Sequence, residues 1–327
     1  MRFKEYIKNI YFKMSICEPM GLSSDIFMIS DILELLDLNI NIDGLIKFAE
    51  ENDLAIKDDD NFWNNFRNMR GVNNMVSSLY EYVPNLTYNF NFPEMDNNEI
   101  FNIVSDFLRN YDEDVFSHYN NLVNGRYIYR CDSLDDSYAK TFNLMTQRCD
   151  YILFDGTEAN IFLSSTIVHE VIHSYINSFL RNISFEERLK FNINALDEVY
   201  SHFIEFAFVN YLKNSNYDSL ITKNLNDFLN FSLANYLYYF NDSLNNFSEE
   251  NFDDYVISEI YAYGSLMGLH YFYKYLESPV LTKKNILNMT LDSTKYDKMY
   301  LLNNYGLSTD EICNHKFLIK HLNSSTY

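Results

Sequence analysis

Apolar residues recur every three to four positions along most of this 327-residue chain, a spacing that predicts helices. The first such stretch runs from Ser24 to about Glu51, with a break near Asn39–Asp43. Polar residues around Asp58–Asp60 predict an acidic loop. Asn61 to Tyr82 predicts a second helical stretch, interrupted at Gly71 and ended before Pro84. Tyr88-Asn89-Phe90-Asn91-Phe92 alternates ring and amide and predicts a short strand stopped by Pro93. A helical stretch follows from Asn97 to about Val123. Tyr127–Arg130 and Tyr151–Phe154 are β-branched or aromatic runs that predict strands of a small sheet.

Asp155-Gly156-Thr157 predicts a turn, with Thr157 as N-cap of a helix running from about Glu158 to Asn182. Ile161, Phe162, Ile167, Val168, Val171, Ile172, Ile176 and Phe179 surround the axis of that helix, so it is expected to be buried. Ile193–Leu212, Asp218–Phe247 and Phe252–Glu277 predict three further long helices, and the remainder short ones.

Composition supports a mainly α fold with a small sheet. Only 8 Gly and 4 Pro accompany 47% apolar residues, too few turn formers for a many-stranded sandwich or barrel. The 28 Tyr and 27 Phe are read as compositional bias. A net charge of −21 argues against nucleic acid or an anionic membrane as partner, and leaves basic peptides open. Cys17, Cys131, Cys149 and Cys313 lack disulfide or metal spacing, as expected of a reduced cytoplasmic protein. Lys and Asn break up the N-terminal segment, so no signal peptide is expected, and no stretch is long and apolar enough to span a membrane.

The chemistry lies in His169-Glu170-Val171-Ile172-His173. Residues four apart on a helix differ by about 40° around the axis, so both imidazoles leave one face and can share a metal ion. Glu170, about 100° round from His169, can take a proton from a metal-bound water without being a ligand. Such a pattern arises by chance in about 1% of chains with this length and His content. A catalytic zinc usually takes three protein ligands. Asp197, Glu198, His202 and Glu205, in LDEVYSHFIEF, are the candidates for the third, and on chemistry alone Glu198 and His202 compete.

YILFDGTEANIFLSSTIVHEVIHSYI resembles the active-site segment of the oligoendopeptidase F branch of the thimet oligopeptidase family, zinc metallopeptidases with His-Glu-x-Gly-His on a helix. DEVYSHFIE is similar to that family's Glu-Val-Pro-Ser-x-x-x-Glu, beginning 25 residues after His173. YNFNFP, NEIFNIVSDFLRNYDEDVF and GRYIYRCDSLDDSYAKTF resemble the strand, helix and substrate-edge strand that precede the motif. The resemblance covers roughly Tyr88 to Leu276. It implies a helical zincin fold with a small sheet beside the active-site helix. It also implies one Zn2+ held by His169, His173 and Glu198, with Glu170 as general base. His202 is then expected to orient a ligand or line the cleft.

Three departures stand out. Ile172 replaces the Gly, Tyr200 replaces the Pro, and the chain is about half the usual family length. YAYG resembles the family's Tyr-Ala-Thr-Gly and points first to Tyr261 as donor to the developing oxyanion, with Tyr263 or Tyr255 as substitutes for the family's other tyrosines, which are not in register here. His118, His315 and His321 are expected to face solvent, and Trp63 to anchor the core. Residues 1–86 are expected to form an N-terminal helical region and 87–327 the catalytic domain. The expected function is a zinc-dependent endopeptidase acting on peptides or unfolded segments. The alternative is an inactive relative that binds a peptide or protein.

Overall fold

The computed structural model describes residues 59–83, 90–131, 138–144, 149–157, 159–181, 183, 187, 191, 194, 196–215, 217–248 and 252–324. The predicted helix from Ser24 to Glu51 and the start of the predicted strand at Tyr88 lie outside them, as does the side chain of Trp63. Helix α1 (Asp59–Ser78) runs into a 3-10 turn at Leu79–Tyr82. Asp59 and Asp60 were expected in a loop; their backbone is helical instead. The helix passes Gly71 unbroken. A glycine in mid-helix costs only about 1 kcal/mol, which packing outweighs. Residues 90–92 form no strand. Phe90 and Phe92 have nearly parallel rings 6.3 Å apart, and both meet Phe228, so aromatic packing takes the place of a ladder.

The stretch from Asn97 to Val123 is two helices, α2 (Asn97–Tyr111) and α3 (Glu113–Gly125). Asp112 between them is extended, at φ −162° and ψ 130°. Its N–H closes α2 on the Leu108 carbonyl, while its carboxylate accepts from the N–H groups of Asp114 and Val115 and opens α3. The hydrophobic period hides this break because both helices turn their apolar faces to one core.

Strands β1 (Ile128–Cys131), β2 (Ala139–Leu144) and β3 (Cys149–Asp155) form a sheet in the order β1-β3-β2. β3 is central and runs parallel to β1, with Ile128 opposite Ile152. β2 is an edge strand antiparallel to β3, with Ala139 opposite Phe154. The sheet packs on helix α4 (Ile161–Leu180), which is buried on almost every side. The expected turn holds, because Asp155 accepts from the Thr157 N–H and hydroxyl. The N-cap, however, is Asn160, whose side chain accepts from Phe162 and Leu163.

Helix α5 (Glu198–Asn214) begins later than the predicted Ile193. It packs between α4 and α7 (Phe252–Glu277), and α6 (Ser219–Asn245) lies against α7. Shorter helices follow: α8 (Pro279–Asp292), α9 (Lys298–Asn304), α10 (Thr309–Ile312) and α11 (His315–Ser324). Asn73 seats α1 on α7 by donating to the Tyr255 hydroxyl and accepting from that of Tyr263, each at 2.7 Å. No helix among the described residues is long and apolar enough to cross a membrane.

Candidate metal centre

Helices α4 and α5 bring His169, His173 and Glu198 together. His169 Nε2 lies 3.0 Å from His173 Nε2 and 3.1 Å from Glu198 Oε2, and His173 Nε2 lies 3.3 Å from Glu198 Oε1. Ligands about 2.0–2.1 Å from a tetrahedral zinc ion stand about 3.3 Å apart, so two imidazole nitrogens and a carboxylate, one oxygen near each ring, at these separations suit one ion. Glu198 Oε2 is buried and accepts no hydrogen bond, although an imidazole nitrogen stands 3.1 Å away. Such an oxygen is costly unless a cation supplies its partner. The donor set of two imidazoles and a carboxylate fits zinc.

A second cluster of possible ligands, His169, His202 and Glu205, lies on the other side of His169. The Glu205 carboxylate spans it: Oε1 faces His169 Nδ1 at 3.5 Å and Oε2 meets His202 Nδ1 at 2.9 Å. A carboxylate behind a ligating imidazole fixes the ring and its tautomer, so Glu205 belongs behind the centre. The sequence offered Glu205 only as a candidate third ligand; its position seven residues after Glu198, two turns along one face, was the signal for a place beside the centre. His202 lines the cleft, with Nε2 3.8 Å from Glu198 Oε2.

Electrostatics hold both carboxylates anionic. Burial favours the neutral form of Glu198, yet His173 and His169 keep it well below the usual carboxylate range. Burial likewise opposes ionisation of Glu205, which His169 and His202 pull down to about 2. Burial opposes charge on His169, but Glu205 and Glu198 outweigh it and raise its pKa well above the ordinary imidazole value. The cluster is thus a buried negative site balanced by imidazoles.

Glu170 is buried and lines the cleft beside His169. The hydroxyl of Thr141, on edge strand β2, donates to the Glu170 carbonyl at 2.9 Å and ties the sheet to the motif. Tyr261 lines the same cleft, its ring 6.0 Å from His202 and stacked on Tyr236 at 5.1 Å. The charge of Glu198, and then burial, hold the Tyr261 hydroxyl above the ordinary phenol range, so it remains a donor.

Tyr263 is not brought to the cleft, contrary to expectation. It is fully buried, donates to Asn73, and carries Lys298 Nζ 4.1 Å above its ring. Residues two apart on a helix point about 200° apart, so Tyr261 and Tyr263 cannot face one site. The close backbone approach lies at Gly264 and Gly268 of α7, four residues apart. A Cβ on Gly264 would meet Glu198 Cβ at 2.5 Å, and one on Gly268 would meet the Phe203 backbone nitrogen at 2.7 Å. GSLMG was the unread signal.

Ile172 and Tyr200 are core residues, and Tyr200 hydrogen-bonds the Tyr111 hydroxyl at 3.1 Å. The expected solvent-facing histidines are corrected. His321 is buried between Tyr273 and Asn230, half-buried His118 bonds Ser174 at 2.9 Å, and half-buried His315 stacks on Tyr82. Polar burial of this kind leaves no mark in a hydrophobic pattern.

No family model matches this chain, and neither does any curated protein. Among solved structures it is similar to an oligoendopeptidase F from Bacillus anthracis str. Ames, with TM-score 0.53 and 12% identity over 90% of this chain and 62% of that one. It is also similar to PZ peptidase A, with TM-score 0.51 and 11% identity over 82% of this chain and 59% of that one. It has the fold of these peptidases. The chain spans less than two thirds of either neighbour's length.

Proposed function

We propose that the protein is a zinc-dependent endopeptidase acting on peptides or unfolded segments. The observation that carries this reading is the convergence of His169 Nε2, His173 Nε2 and the Glu198 carboxylate within 3.3 Å. The general base Glu170 sits on the same helix. The fold shared with peptidases supports it.

When bound, zinc would polarise a water molecule and the carbonyl of the scissile bond. Glu170 accepts the proton of the attacking water and passes it to the leaving amine, which needs a group that alternates between base and acid. Tyr261 donates its hydroxyl hydrogen bond to the oxyanion as charge develops. Glu205 holds His169 in register through its Nδ1 face. Gly264 allows the Tyr261 helix to lie against Glu198, which places the donor and the third ligand on adjoining surfaces.

Metal content and peptide hydrolysis, compared between wild type and Glu170→Gln, test the reading. The expected result is about one zinc per chain in both proteins and hydrolysis in wild type alone. Zinc-free wild type, or hydrolysis indifferent to Glu170, would overturn it.

A further inference from the structure

The cleft, of about 290 Å3, is lined by His169 among the candidate ligands and extends beyond it. Phe162, Thr166, His169 and Glu170 all line it, so one face of α4 leads from the motif back toward the helix N-terminus. Phe162 stands eight positions before Glu170, about 12 Å along the helix. At that far end aromatic rings gather. Phe162 and Phe228 lie 4.3 Å apart, and Tyr138 meets Phe162 edge-on at 4.6 Å. Phe90 and Phe92 pack behind Phe228, and Leu229 and Phe206 extend the apolar wall. Phe162, Phe228 and Tyr138 are only half-buried, so part of each ring remains open. The opposite end of the cleft is different in kind, with the hydroxyls of Ser232, Tyr236, Tyr261 and Ser265.

An extended peptide advances about 3.3 Å per residue, so 12 Å corresponds to three or four residues. We propose that this aromatic wall is a recognition subsite for one large apolar side chain, aromatic above all, three or four residues from the bond that is cut. The proposal rests on the peptidase reading and names the substrate class for it. Ring faces and edges at these separations accept another ring edge-on or offset. Among the described residues no Lys or Arg lines the cleft, so an acidic side chain placed there would lose its water without a cationic partner from them.

Two measurements test it. The first is the cleavage profile of zinc-loaded wild type on a mixed peptide library, read by mass spectrometry. The second is binding to Glu170→Gln of decapeptides in which a single Phe is moved through an Ala/Ser background. The profile should show Phe, Tyr, Trp and Leu enriched at one position three or four residues from the cut. One Phe register should bind Glu170→Gln about tenfold more tightly than the all-Ala/Ser peptide. That ratio should fall toward one in Glu170→Gln carrying Phe228→Ala. It should also fall with Thr166→Phe, which fills the same space without deleting a core ring. A flat profile with equal binding of all peptides would overturn the subsite. Tenfold tighter binding in one register without cleavage by wild type would support the subsite and overturn the peptidase reading.

Discussion

A methyl group on Gly264 would stand 2.5 Å from the Cβ of Glu198, well inside any ordinary carbon contact. The helix that supplies Tyr261 therefore lies directly on the helix that supplies the third candidate ligand. Their separation is set by glycine at two successive turns, 264 and 268, rather than by interlocking side chains.

Gly264→Ala is expected to displace Glu198 and weaken zinc binding by about 10–100-fold, as loss of support around a ligand does. Gly268→Ala would press on the Phe203 backbone nitrogen and cost about 1–3 kcal/mol of stability, with a smaller effect on zinc. Zinc titration with a competing chelator, alongside denaturant unfolding, separates the two effects. Unchanged zinc affinity in Gly264→Ala would show that the contact does not govern the ligand.

Glu205→Gln keeps the shape of the clamp and removes its charge. Both His169 and His202 then lose a carboxylate partner, and zinc affinity should fall about 10–100-fold. Full affinity in Glu205→Gln would mean that His169 holds its orientation by packing alone.

The two tyrosines of YAYG should part company. Tyr261→Phe removes the cleft donor, and a loss of about 10²–10³ in kcat with little change in KM is expected. Tyr263→Phe leaves Asn73 Oδ1 without its 2.7 Å donor inside the core and should cost about 1–3 kcal/mol of stability. Steady-state kinetics and thermal unfolding of both variants check this. A kcat loss in Tyr263→Phe larger than that in Tyr261→Phe would reverse the assignment.

Stability should decline as pH falls from about 6.5 toward 4. Burial lowers His118, His270 and His321 to about 4, against 6.5 in the unfolded chain. Between those values the unfolded chain binds the extra protons, so acid favours unfolding. The penalty is complete below about pH 4. Over the window each histidine costs at most about 3 kcal/mol, less for His118, which is only half-buried. Urea unfolding midpoints at pH 7, 5.5 and 4.5 read it directly, and His321→Gln should flatten the dependence. A midpoint constant across this range would contradict the buried neutral state.

Much of this site could be read before the fold was seen, because its geometry is local. Two histidines four apart share a face on any α-helix, and Glu198 leads a second helix whose acidic and imidazole positions repeat by turns. What escaped depends on contacts between distant segments. Asp112 splits a continuous hydrophobic period because its carboxylate caps the next helix. His321 is enclosed by Tyr273 and Asn230, which lie 48 and 91 residues away. Tyr263 packs in the core against Asn73, on the side of its helix away from Tyr261, as residues two apart on a helix must. The aromatic wall is assembled from residues 90, 92, 138, 162 and 228, in a chain where rings are too common for any one to draw notice.

The most direct test of the central claim is the position of zinc in anomalous X-ray diffraction from the zinc-loaded protein. A single peak per chain is predicted between the Nε2 atoms of His169 and His173 and the carboxylate of Glu198. A peak on the other side of His169, held by His202 and Glu205, or no peak at stoichiometric zinc, would contradict it.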